Sequence, residues 1–257
     1  MKAMRRLSTL AFAVLAVPSL LAQTPQSNPG TITQLEFQKP KMGMQQQYED
    51  GRKQKAAWHK QQNSPEPLFV WEILTGDDTG TYIVGGPPQH WAEMDKPAIP
   101  DEADQAEYAK VILPSLESMK ARYYEYQPKL SNPRSSKQPS KFEEVVIFRL
   151  RYGKDGEFRS ALARATEGAM KTKWPVNFYW YELEYGGASP AWVLTIPHDN
   201  WAAFEDQPNV KPFREMLKDA FGPAEADSIV DWINESVMSE TAEIIQFRPD
   251  LSYIPGK

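Results

Sequence analysis

The chain has 257 residues, 41% of them hydrophobic and 12% aromatic, enough to bury at least one large core. Its 29 basic and 34 acidic residues are well mixed, and no Lys/Arg-rich block interleaves with aromatics, which removes a phosphate-binding footprint and with it nucleic acid as a partner. Cysteine is absent, so disulfides, thiolate catalysis and Cys-type zinc sites are excluded; the three histidines, His59, His90 and His198, are not spaced to ligate a metal from one element, and no metal site is expected.

The first 23 residues, "MKAMRRLSTLAFAVLAVPSLLAQ", place Lys2, Arg5 and Arg6 ahead of an apolar run broken by Pro18 and ending in small and polar residues. That is the three-part pattern of a secretory signal peptide, too short and too interrupted for a spanning helix. The expectation is export to the periplasm or the extracellular space, with no membrane attachment after cleavage.

Strand and helix signals then follow in a fixed order. "TITQLEF" (31–37) is rich in β-branched and aromatic residues and reads as a strand; "MQQQYEDGRKQKAAWHKQQ" reads as an amphipathic helix ending before Pro65. "PLFVWEIL" and "GTYIVG" form a hairpin, "QHWAEMD" starts a short helix, a longer helical stretch follows, and "ARYYEYQ" closes the unit at Pro128. After "SNPRSSKQPSK" (131–141), which has no apolar residue and reads as a linker, the order recurs: "EEVVIFRLRY", "EFRSALARATEGAMKTK", "VNFYWYELEY" with "PAWVLTI", "HDNWAAFE" with Asn200 as a plausible N-cap, and "AEIIQFR".

The recurrence has a period. Tyr48 and Phe158, Glu72 and Glu182, Gly76 and Gly186, Pro87 and Pro197, Trp91 and Trp201, and Asp95 and Glu205 are each separated by 110 residues. The closing segments "YYEYQPKLS" and "IIQFRPDLS" are 121 apart, so the second copy carries a net insertion of 11 residues before its last strand. The chain reads as an α+β protein built from two tandem ferredoxin-like βαββαβ units, 31–130 and 142–253, joined by 131–141.

This order, with "WEILTG…TYIVGGPPQHWAEMD" (71–95) and its weaker echo "YELEYGGASPAWVLTIPHDNWAAFE" (181–205), resembles the dimeric α/β barrel superfamily, which includes antibiotic-biosynthesis-monooxygenase-like, NIPSNAP-like and EthD-like domains. The resemblance covers nearly the whole chain after the leader. It implies two antiparallel sheets facing each other around a lumen that takes small, often aromatic, ligands. Both sheets would come from one chain, a pseudo-dimer for which a homo-oligomer is possible but not required. Members include cofactor-free oxygenases and haem-dependent enzymes. The local "HDNW" string at 198–201 does not reproduce the dispersed Asn-Trp-His set of the haem-degrading branch, so haem stays possible at most and no cofactor is expected.

Alternation puts Glu72 and Glu182 at equivalent, potentially buried positions, where burial would suit a carboxyl to acid/base work; the plainer role is to shape the turns at Gly76 and Gly186. His90 borders the hairpin and is a third base candidate. Trp91 and Trp201 recur in the short helices, Tyr82 and Trp192 match on the third strand, Trp180 shares the Glu182 side, and these with Arg122 and Tyr124 are the candidate pocket residues. Arg122 would anchor an anionic ligand if it faced the lumen and would be an ordinary solvated charge if it faced out. No phosphate loop, nucleophile elbow or zinc-protease motif occurs. Two functions follow: an exported module that binds an apolar or aromatic small molecule without turnover, or a cofactor-independent oxygenase or isomerase with a buried Glu or His as general base.

Overall fold

The computed structural model describes residues 30–136 and 138–256; the leader segment lies outside them. The first half runs β1 (Ile32–Pro40), α1 (Gln45–Gln61), β2 (Phe69–Ile73), β3 (Tyr82–Gly85), α2 (Asp101–Val111) and β4 (Leu116–Tyr126). The second runs β5 (Phe142–Leu150), α3 (Asp155–Thr172), β6 (Tyr179–Tyr185), β7 (Ala191–His198), α4 (Phe213–Phe221), α5 (Pro223–Ser236) and β8 (Val237–Phe247). The segments that begin at Trp91 and Trp201 are single 3-10 turns rather than helices; Asn200 does cap the second, its side chain accepting from the Ala203 amide at 3.1 Å. The 11 extra residues of the second half appear as a second helix: α4 stops at Gly222, which has a φ of +85°, and Pro223 restarts the chain as α5.

All eight strands pair antiparallel into one closed barrel in the order β1-β3-β2-β8-β5-β7-β6-β4. Each half contributes four adjacent strands, and the halves are zipped together by β2 on β8 and by β4 on β6. The correspondence extends to a register shift near the end of each half's first strand, at Lys39/Pro40 and at Arg149/Leu150. Gly186 needs no side chain: at its φ of +91° a Cβ would lie 2.3 Å from the Ala121 carbonyl.

Directly opposed residues share a sheet face, so register separates the lumen from the outside. Leu35 opposes Gly85 and Arg122, and Val145 opposes Thr195 and Glu243; these point inward. Ile73, Ile83, Tyr124, Val145, Leu183 and Ile245, drawn from both halves, form the apolar centre of the lumen. The outer faces are covered separately. Over the first half a small cluster, including Tyr48, Val70, Tyr82 and Ile112, sits beneath α1 and α2. Over the second, a larger one, including Phe158, Trp180, Trp192, Leu217 and Ile229, sits beneath α3, α4 and α5. Among the described residues no helix is long and apolar enough to cross a membrane.

Candidate functional site

An apolar opening lies outside the barrel, between the second half's sheet and its three helices. It is a cavity of about 330 Å³. The strand side supplies Phe148, Phe178, Trp180 and Leu194, in-line with the alternation that sends these side chains outward. The helix side supplies Leu162, Ala165 and Ala169 of α3, three to four residues apart and so on one helix face, with Met216 of α4 and Val230 of α5. The two alanines, the shortest side chains in the wall, leave the space open. Trp174, Phe213 and Asn234 stand at the rim; Trp174 is fixed by its indole N–H donating to the Lys211 carbonyl at 2.8 Å, and its ring centre is 6.2 Å from that of Phe213. The polar wall atoms are few. The hydroxyl of Thr166 is already committed to the Leu130 carbonyl at 2.8 Å.

The residues singled out from the sequence divide among four places. Trp180 lines this cavity, and Trp192 lies directly behind it, fully buried, its ring 6.4 Å from Trp180 and its indole N–H donating to Asp155 at 2.7 Å. Arg122 and Tyr124 face the lumen, which settles the orientation of Arg122: its guanidinium lies 4.4 Å over the ring of Phe37, and its Nε is buried with no hydrogen-bond partner. Burial pushes the Tyr124 phenol up. Trp91 and Trp201 are surface residues, 45% and 55% exposed, stacked near Tyr123 and on Phe142 respectively. His90 caps the 3-10 turn at Trp91, its backbone N–H donating to Glu93 at 2.6 Å.

Glu72, Glu182 and Tyr82 are on the outer face, near the two seams where the halves meet. They are not held by the hairpin glycines. Glu72 accepts from Arg248 at 2.7 Å, and Arg248 also donates to Glu49 at 2.8 Å; Tyr82 donates to Glu49 at 2.6 Å and accepts from Gln45 at 2.9 Å. The Arg248 guanidinium, followed by burial and the Tyr82 hydroxyl, leaves the net effect of holding Glu49 below the usual carboxylate range. At the other seam the partners are exchanged: Arg159, at the position equivalent to Glu49, pairs with Glu182, while Gln127 stands where Arg248 would be and bonds Arg159 at 3.0 Å. Burial raises Glu182, and burial with the neighbouring Glu125 raises Glu184. Both seams are structural ion-pair networks, and neither reaches the cavity.

A carboxyl that alternation alone did not single out is Glu143. It opposes Ile245 and Pro197, both inward-facing, and so enters the lumen near the end where β1 and β5 begin. Burial pushes it up to about 7, against hydrogen bonding from Thr195 and the more distant charge of Arg134. Arg134 is itself engaged by Asp199 at 2.9 and 3.0 Å. The sequence signal was there in "FEEVV", but two adjacent glutamates face opposite ways, and only the register says that Glu143 rather than Glu144 points in.

Haem does not match the cavity's donors. No His, Cys, Tyr or Lys is among the lining residues to serve as an axial ligand, the thioether of Met216 being the sole soft donor, and no cation stands ready for propionates.

No protein-family model and no curated protein matches the sequence. Solved structures do. A protein provisionally assigned as a monooxygenase, from Lactobacillus acidophilus NCFM, superposes with a TM-score of 0.55 at 9% identity, covering 88% of this chain and 97% of its own. A similarly assigned protein from Fusobacterium nucleatum gives 0.55 at 9% identity over 86% and 94%. A protein provisionally assigned as a chlorite dismutase gives 0.51 at 9% identity over 86% and 96%. At such identities the likeness is one of fold alone, and the chain has the eight-stranded antiparallel dimeric α/β barrel fold of these proteins.

Proposed function

We propose that the chain is an exported, tandemly duplicated dimeric α/β barrel protein that binds a small apolar or aromatic molecule, without turnover, in the cavity of its second half. The observation that carries the reading is that cavity: its volume falls in the range of small-ligand sites, and its walls are aromatic and aliphatic. Export rests on the charged-then-apolar leader. The case for binding over catalysis rests on the chemistry of the wall. Catalysis would need a free acid, base or nucleophile near the ligand, whereas Glu72 and Glu182 sit in ion pairs at the seams, His90 caps a surface turn, and the Thr166 hydroxyl is committed.

The test uses N-phenyl-1-naphthylamine, an uncharged probe that brightens in apolar surroundings. Titrated into the protein it should saturate at a stoichiometry of one, and Ala165→Phe, which fills the cavity, should weaken it about tenfold or more. A titration without saturation, or one unaffected by Ala165→Phe in a folded variant, would refute the site.

A further inference from the structure

The lumen end where β1 and β5 begin carries a pattern that the apolar cavity does not explain. Two aromatic triads related by the repeat line it. Phe69, Trp71 and Phe247 have ring centres 5.8 to 6.2 Å apart, and at the equivalent positions Tyr126 lies 6.3 Å from Tyr179 and 5.4 Å from Tyr181. Strand order puts Glu143 of β5 in the wall between the triads, with Thr33 of β1 diametrically across.

The polar atoms there are incompletely used. The indole N–H of Trp71 and the hydroxyl of Thr33 are buried without a hydrogen-bond partner, and among the described residues no cation lies within ion-pair distance of Glu143. A buried, unpaired donor is costly to leave empty, which points to an occupant that bonds it. Ring faces carry negative potential, so rings arranged around a carboxylate are complementary to a weakly hydrated positive charge and repel an anion.

We propose that this end of the lumen is a second binding site, for a substituted ammonium compound that also bears a hydroxyl or carbonyl oxygen. The ammonium pairs with Glu143 and rests against the Tyr181 side of the ring wall, and the oxygen accepts from Trp71. The site is independent of the cavity behind the second sheet, and its occupant differs in charge.

The groups facing Glu143 set the pH behaviour. Tyr181 and Tyr126 are pushed up by burial and stay protonated, the Arg134 guanidinium is engaged by Asp199, Thr195 and Ser140 offer only hydroxyls, and Glu243, the next inward side chain along β8, lies deeper in the lumen and is raised by burial. Glu143 is then the titrating group, and ammonium binding strengthens as pH rises from about 6 to about 8.

Choline and its uncharged isostere 3,3-dimethylbutan-1-ol, titrated by calorimetry with Trp fluorescence as a second readout, test the proposal. Choline should bind at least tenfold more tightly than the isostere, and Glu143→Gln should remove that preference while leaving the isostere nearly unchanged. Trp71→Phe, which keeps a ring and deletes the donor, should weaken both severalfold, and Ala165→Phe should affect neither. No choline binding at millimolar concentration, equal affinity for the isostere, or an unchanged preference in Glu143→Gln would each overturn the proposal. Loss of choline binding in Ala165→Phe would overturn the independence of the two sites without touching the apolar cavity.

Discussion

Helices α1 and α3 cover equivalent sheets, 110 residues apart, and turn opposite chemistries inward. Where α3 presents Leu162, Ala165 and Ala169 to the sheet, α1 presents Arg52, Lys55 and His59, all buried. In the first half these long basic side chains fill the space. Lys55 reaches across to α2, donating to the carbonyl and carboxylate of Asp104 at 2.7 and 2.8 Å, while burial lowers its ammonium pKa against the pull of that carboxylate. In the second half the alanines leave the space open, and α4 and α5 roof it instead. One backbone topology thus yields a filled interior or a hollow one, depending on a few side chains and an 11-residue insertion.

The contrast can be broken most severely at the matched pair Trp192 and Tyr82, both fully buried on the third strand of their halves. Trp192→Ala removes a large ring from an apolar cluster and should cost about 3–5 kcal/mol in urea unfolding. Tyr82→Phe, which strands Glu49 and Gln45 of one partner each, should cost only about 1–2 kcal/mol. Equal losses would mean that the two halves are not held by different forces.

Importing the first half's chemistry is the next test. Ala165→Lys places an ammonium in the cavity with no carboxylate in its walls, and should destabilise by about 2–4 kcal/mol while abolishing binding of the naphthylamine probe. Full stability with retained probe binding would show that the cavity does not enclose this position.

In the first half acid should act through His59. Burial holds His59 at about 4, with Asp104 pulling the other way, so the folded protein keeps it neutral while the unfolded chain protonates near the ordinary value. This histidine's contribution is therefore full above about pH 6.5 and is lost as pH falls toward 4, a change on the order of 2 kcal/mol. His59→Gln should flatten that part of the stability profile; an unchanged slope would assign it to other groups.

The smallest effect is expected at Arg214 and Asp227, joined at 2.6 Å between α4 and α5 but both about half exposed. Asp227→Asn should shift stability by less than about 0.5 kcal/mol, and this pair should lose its contribution in high salt. A larger shift would mean that the roof of the cavity depends on its surface charges.

The architecture was legible because it is written twice. Any one strand of the second half reads ambiguously, but Trp91 with Trp201 and Gly76 with Gly186 at one spacing fix the correspondence of the halves, and the missing 11 residues locate the added helix. The alternation that set Glu72 and Glu182 opposite Trp71 and Tyr181 also matches the structure. The partners of those glutamates were not legible, because Arg248 and Arg159 come from segments 176 and 23 residues away. Nor was the cavity. Its signal is the stripe of Ala165 and Ala169 on α3, which in sequence is indistinguishable from tight packing until the residues across the space are known. Glu143 was hidden by its neighbour Glu144, since a one-residue ambiguity in register exchanges lumen for exterior.

The way the barrel closes has a consequence for how the chain can be cut. Because β2 is zipped to β8 and β4 to β6, each half's two sheet edges are satisfied only by the other half. A cut between the halves would leave one particle of two noncovalently joined chains, since the two seams persist without the covalent link, whose part is to raise the local concentration of each half around the other. Halves made separately would each show two bare edges, open to pairing with any strand at hand, and would be soluble only when they find each other.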